Sequence, residues 1–268
     1  MKSCPNCGNA IQAGVDNFCP KCGANLSGSG GSAQTAPGTA LGGAPATPTV
    51  PHSGPGPVLV LLDEMGQTTQ QFMLDRGVAT FGRTEGDIRF QDDLFMSPLH
   101  AQLSMRDGEL LVRDLGSRNN TWVFIDGPYR LQDGDTILVG SQLIRFRRLG
   151  YPAPHPPEAD LTRRLGSSTP TADVAVLAQL RADGSARDTL ALSPGRTVKI
   201  GRDVGDWVFP YDKTMSGKHA EVRSEDLQFI VLDDGSRNGV AVAVRGEMAV
   251  KVGQRILMGD QTLRVKSL

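Results

Sequence analysis

The chain has 268 residues, with 28 Lys and Arg against 29 Asp and Glu and a formal net charge of -1, so no diffuse charge directs it to nucleic acid or a membrane surface. With 39% apolar and 21% charged residues it has the composition of a folded protein with room for about two domains. Its longest apolar runs, such as Val58 to Leu62, fall far short of the roughly 20 residues of a membrane helix, and Met1-Lys2-Ser3-Cys4 opens no apolar signal segment; a cytoplasmic protein without membrane insertion is expected.

Residues 1–26 hold all four cysteines, as Cys4-Pro5-Asn6-Cys7-Gly8 and Cys19-Pro20-Lys21-Cys22-Gly23. In a reducing compartment disulfides are the weaker reading. Each pair offers two thiolates from a tight turn, and four thiolates satisfy tetrahedral zinc, although they also suit iron. The pattern resembles the short zinc-ribbon modules found at the ends of many bacterial proteins, which implies one structural Zn2+ ion held by Cys4, Cys7, Cys19 and Cys22. Lys2 and Lys21 are the only cations of the module and Phe18 its sole aromatic. Nucleic-acid binding therefore has little support, and protein docking is the functional reading.

Residues 27–57 are mostly Gly, Ser, Ala, Pro and Thr without a single charge, a composition that cannot bury enough apolar surface to offset its ordering entropy, so they read as a flexible tether. Between 58 and 150, short apolar or alternating runs (Val58–Leu62, Gln71–Leu74, His100–Arg106, Glu109–Leu115, Thr121–Ile125, Thr136–Val139, Leu143–Arg147) are separated by turn residues. These are strand lengths, and no helical apolar stripe appears. Asp107-Gly108, Asp126-Gly127, Asp133-Gly134, Asp183-Gly184 and Asn238-Gly239 suit hairpin turns. A second, proline-rich linker occupies 151–172, and a second block runs over 173–268. Sliding the chain by 119 positions superposes the blocks: Gly82-Arg83 falls on Gly201-Arg202, Ser97 on Ser216, His100-Ala101 on His219-Ala220, and Gly116-Ser117-Arg118-Asn119 on Gly235-Ser236-Arg237-Asn238. One register carries every match, so two copies of one all-β fold, each a β-sandwich, are predicted.

Gly82-Arg83, Ser97-x-x-His100 and Asp114-Leu115-Gly116-Ser117-Arg118-Asn119, repeated in the second block, resemble the forkhead-associated (FHA) domain. The resemblance covers nearly all of both blocks. It implies two FHA-type β-sandwich domains in tandem after the zinc ribbon, binding phosphothreonine peptides through loops at one end, without catalysis. It assigns Arg83, Ser97, Arg118 and Asn119, and in the second copy Arg202, Ser216, Arg237 and Asn238, to the phosphopeptide. His100 and His219 would pack behind the loops. The chemistry is apt, because a phosphothreonine carries about -1.5 to -2 charges and three strong acceptors and so calls for a fixed guanidinium beside neutral donors.

The copies depart from the family pattern. The residue after the pocket Ser, often Arg or Asn, is Pro98 in one and Gly217 in the other, which lowers the expected affinity of both, with Lys218 a partial compensation in the second. Asn120 replaces the usual Gly but tolerates a left-handed turn, and Val240 replaces the usual Thr. Net charges of -3 over 58–150 and +1 over 173–268 favour the second copy slightly as a phosphopeptide receptor. Phe95 and Met96 suggest an aliphatic preference in the first. The expected partners are threonine-phosphorylated proteins, a Ser/Thr kinase or its substrates. Thr162, in a basic linker with Leu165 three residues on, is a further candidate ligand for self-association if phosphorylated. The alternative is a phosphorylation-independent structural scaffold in a larger secretion or envelope assembly. No nucleophile and base recur together outside the candidate pocket, so an enzyme is not expected.

Overall fold

A computed structural model describes residues 2–3, 10–11, 56–149, 157–163, 173–225 and 228–268; the four cysteines and most of both linkers lie outside the described residues. The chain divides into two compact units, Met1–Val50 and Pro51–Leu268. In the first, β1 (Lys2–Ser3) pairs antiparallel with β2 (Ala10–Ile11), bracketing the first cysteine pair in sequence.

The second unit is all-β among the described residues, with ten strands from each repeat. The first repeat supplies β3 (Val58–Leu62), β4 (Thr68–Met73), β5 (Val78–Gly82), β6 (Ile88–Arg89), β7 (Ala101–Arg106), β8 (Glu109–Asp114), β9 (Thr121–Phe124), β10 (Tyr129–Leu131), β11 (Thr136–Val139) and β12 (Gln142–Arg148). The second supplies β13 (Ala175–Leu180), β14 (Ala186–Leu192), β15 (Thr197–Gly201), β16 (Trp207–Val208), β17 (Ala220–Glu225), β18 (Gln228–Asp233), β19 (Val240–Ala243), β20 (Glu247–Val250), β21 (Arg255–Met258) and β22 (Gln261–Ser267). Alternation places Ala79 and Phe81, Leu103, and Leu110 and Val112 in one core, and Val198 and Ile200, Val222, and Phe229 and Val231 in the other.

The strand pairing runs across the boundary between the sequence repeats. β20 of the second repeat pairs with β8 of the first, with Glu247 opposite Arg113, while β10 of the first pairs with β18 of the second, with Tyr129 opposite Val231. Likewise β21 lies on β9 and β22 on β3, whereas β11 lies on β19 and β12 on β13. Each repeat therefore gives its last three strands to the other. One sandwich consists of β3–β9 closed by β20–β22, and the other of β13–β19 closed by β10–β12. Antiparallel β9–β19 pairing, Val123 opposite Val242, fuses the two outer sheets into one of ten strands.

The cores follow the exchange. Val250, Ile256, Met258, Leu263 and Val265 pack with Leu59, Phe81 and Leu103, while Ile137, Val139, Ile144 and Phe146 pack with Leu177, Val198 and Phe229. Trp122, Ala241 and Ala243 fill a third cluster at the junction. The chain crosses at Ile125–Pro128 and again at Val244–Gly246. Asp126-Gly127, expected to close a hairpin, is instead the first crossing: Ile125 N–H donates to Val240 O, so the chain continues along β19 and does not turn back. Asp107-Gly108 does turn, with φ of 52° and 82°, and Gly134 and Gly184 take positive φ as their turns require.

Candidate functional site

In each repeat three loops converge after β5 or β15, before β7 or β17, and after β8 or β18. Backbone bonds latch the first two: Arg83 N–H donates to Ser97 O at 2.9 Å, and Arg202 N–H to Ser216 O at 2.9 Å. Gly82 and Gly201 permit this approach, because a Cβ at either would stand 2.2 Å from the carbonyl oxygen of Pro98 or Gly217. The Ser hydroxyl joins the third loop, Ser97 Oγ accepting from Arg118 N–H and Ser216 Oγ from Arg237 N–H, both at 3.0 Å.

His100 and His219, both fully buried, hold the loops from behind. Nδ1 accepts from Ser97 N–H at 3.0 Å or Ser216 N–H at 2.9 Å, so the ring proton sits on Nε2, which donates to Asn120 O or Gly239 O. Asn120 takes φ of 60°, the left-handed turn expected of it, and Gly239 takes 86°. Asn119 and Asn238 are exposed, but one amide donor of each is engaged within the protein, by Phe95 O and Thr214 O respectively at 2.7 Å. Beyond that bond each amide keeps a second N–H donor and its oxygen acceptor.

The Asp that opens the third loop organises it. Asp114 accepts from the N–H groups of Gly116 and Ser117 and from the hydroxyls of Ser117 and Thr121, at 2.6–2.9 Å. Burial pushes its carboxyl up, but the Ser117 and Thr121 bonds outweigh this and hold it below the usual range. Asp233 keeps the Ser236 bonds, while Val240, at the position of Thr121, offers none.

All eight candidate phosphopeptide residues thus fall in two matching loop clusters. The guanidinium groups differ between them. Arg83 is half-buried and its Nε is buried with no hydrogen-bond partner among the described residues. Arg202 is gripped by the carboxylate next to it, Nε and Nη2 donating to Asp203 Oδ2 at 3.1 and 3.0 Å; Asp203 replaces Thr84 of the first copy.

The residues quoted from the sequence leave out the supports under these loops. Asp93 and Asp212, buried in the loop before the Ser, stand in the same 119-residue register, which was the available signal. Each bonds its own loop and the exchanged strands of the other repeat. The carbonyl of Asn119 accepts from Trp122 Nε1 at 2.9 Å, and that of Asn238 from Arg255 Nη2 at 3.0 Å, with the Arg255 guanidinium stacked on Phe124. Neither Trp122 nor Arg255 has a counterpart of its own type in the other repeat, so repetition could not expose them.

The FHA domain profile matches residues 79–140 and 198–259. An oxoglutarate dehydrogenase inhibitor from Corynebacterium efficiens is 35% identical over 108 residues, which are 39% of this chain and 75% of that protein. The chain belongs to the FHA-domain family. The oxoglutarate dehydrogenase inhibitor of Corynebacterium glutamicum is 33% identical over 40% of the chain and 77% of its own length, and the glycogen accumulation regulator GarA of Mycobacterium tuberculosis 29% identical over 40% and 64%. The FHA domain of the CT664 protein from Chlamydia trachomatis aligns with 31% of this chain and 88% of its own at 25% identity, with a TM-score of 0.21. No helix among the described residues is long and apolar enough to cross a membrane.

Proposed function

We propose that this FHA protein is a non-enzymatic adaptor that docks threonine-phosphorylated proteins, a Ser/Thr kinase or its substrates, with its first pocket as the principal reader. The observation that carries this is the half-buried Arg83. Its backbone is latched to Ser97, Ser97 is latched to Arg118, and among the described residues its Nε has no hydrogen-bond partner and no carboxylate grips its guanidinium as Asp203 grips Arg202, which leaves that charge for a ligand phosphate. In the second pocket a ligand phosphate must displace or share Arg202 with Asp203 about 3 Å away. That local carboxylate outweighs the small charge advantage of the second block, whose field is screened within ~8 to 10 Å. Arg237, Asn238 and Lys218 remain available there.

Binding of the full chain to a degenerate phosphothreonine peptide library beside its unphosphorylated twin tests the reading, repeated with Arg83→Ala, Arg202→Ala and both. Arg83→Ala should weaken phosphate-dependent binding about ten- to a hundredfold, the equivalent of ~1.5 to 3 kcal/mol for a charge-assisted bond. Unchanged binding without either Arg would refute the pocket assignment. The second reading, a phosphorylation-independent scaffold, is favoured by the Arg202–Asp203 pair and by the bare Gly217, and predicts no difference between the two libraries.

For the N-terminal module we propose one structural zinc ion on Cys4, Cys7, Cys19 and Cys22. The support is the chemistry of four thiolates in two Cys-Pro-x-Cys-Gly turns, together with the β1–β2 pairing that brackets the first of them. Such a module of ~25 residues cannot build a sufficient core alone, and metal binding would supply its folding energy.

A further inference from the structure

We propose that each phosphopeptide pocket is a composite of both repeats, the loop that carries its Ser being held in place by the strands exchanged from the other repeat. This rests on the reading of the loop clusters as phosphothreonine sites. The contacts form an unbroken chain. Gln261 Nε2 and Asp260 N–H, at the turn between β21 and β22 of the second repeat, donate to Asp93 Oδ2 at 3.0 and 2.8 Å. Asp93 Oδ1 accepts from the N–H groups of Phe95 and Met96, and Phe95 O in turn accepts from Asn119 of the first pocket.

The reciprocal chain starts at the turn between β11 and β12 of the first repeat. Ser141 N–H and Oγ and Gln142 Nε2 donate to Asp212 Oδ2, each at 2.8 Å. Asp212 Oδ1 accepts from Thr214 N–H, and Thr214 O accepts from Asn238 of the second pocket. The seats are tight: a Cβ on Gly259 would stand 2.5 Å from Asp93 Oδ2, and one on Gly140 2.8 Å from Asp212 Oδ2. Arg255 adds a second strut, reaching Asn238 O from the first sandwich.

Charge adds a small preference for the exchanged pairing over each repeat closing on itself. Glu247 of β20 bonds Arg106 of the first repeat at 3.0 Å. The residue at the place of Arg106 in the second repeat is Glu225, so a self-closed second repeat would set Glu247 against a like charge. Arg245, at the second crossing, bonds Asp135 of the first repeat, whose side chain is 4% exposed.

The test uses the full chain carrying Arg202→Ala, so that only the first pocket reads phosphothreonine peptide. Gln261→Ala should weaken that binding about threefold to tenfold, as the loss of one bond to a carboxylate implies, and Gln142→Ala should leave it within about twofold. Self-closed repeats predict the reverse, with Gln142 supporting the first pocket; that result, equal losses, or no loss from either variant would overturn the proposal. Ser141→Ala, an exposed change, serves as the control in place of Gln142→Ala if the latter does not fold.

A second arm needs no phosphopeptide. Arg113 and Glu247 face each other on paired strands, and cross-strand Cβ atoms ~4.5 to 5.5 Å apart approach the spacing a disulfide needs. Arg113→Cys/Glu247→Cys should therefore oxidise to a disulfide joining those two positions, identified by peptide mapping apart from the native cysteines in residues 4–22. Absence of that disulfide overturns the exchange even if phosphopeptide binding persists. Its formation without any phosphopeptide binding overturns the reading of the pockets, and the composite sites with it.

Discussion

The two pockets share one backbone and part company in charge. In both, a Gly lets the Arg strand meet the Ser loop, a buried His ties Ser to the third loop, and an Asp caps that loop. Around this frame the rim of the first is apolar: Leu94, Phe95 and Leu99 are 79%, 58% and 37% exposed. Their counterparts are Lys213, Thr214 and Lys218, and Asp203 takes the place of Thr84. Duplication kept the hydrogen-bond frame because each element of it satisfies a buried polar group, whereas exposed side chains diverged at little cost to folding.

The largest expected effect tests the shared frame. His100→Ala and His219→Ala each remove two buried hydrogen bonds and a packed ring, and should destabilise their sandwich by about 2 to 4 kcal/mol, read from denaturant midpoints. A cost below ~1 kcal/mol for either would show that the loops stand without the His. The next sharpens the contrast in charge. Asp203→Thr, which copies the first pocket, should free Arg202 and strengthen Arg202-dependent phosphopeptide binding about three- to tenfold on an Arg83→Ala background. No gain would mean that Asp203 is not what distinguishes the pockets.

The smallest effect concerns the cap. Thr121→Val copies Val240 and deletes one bond to Asp114, costing about 1 kcal/mol at pH 7. Because the native Asp114 carboxyl lies below its ordinary value, the stability it contributes is full above that value and is lost as pH falls through the native one. The cost of Thr121→Val should therefore shrink below about pH 4, and thermal midpoints of the two proteins should converge there. The same sign holds for Asp212, whose bonds to Gln142, Thr214 and Ser141 outweigh the burial that opposes ionisation. It is reversed for Asp260, which burial and the nearby Asp93 push up.

The repeat, the all-β class and the loop residues were legible because they rest on local signals: strand-length runs, turn residues and a motif in fixed order. The positive φ at Asn120 was legible for the same reason. The exchange was not, since most of the residues that dock it are the same type in both repeats. Gly140 and Gly259, Gln142 and Gln261, Asp93 and Asp212 can pair within a repeat or across repeats with the same chemistry. Only unmatched positions, such as Arg106 against Glu225 and Phe124 with Arg255, distinguish the partners, and they become informative once the strands are placed. Asp126-Gly127 misled because its composition fits a hairpin, while pairing of β9 with β19 keeps the chain extended.

Strand exchange also changes what selection can act on. A free-standing second domain whose pocket had lost its ligand could be deleted from the gene without harm to the first. Here Val250, Ile256 and Leu263 are core of the first sandwich, so a shortened gene would leave that sandwich without a wall. The second pocket is thereby at liberty to drift toward other ligands, or toward none, while its strands are retained as the lining of its neighbour.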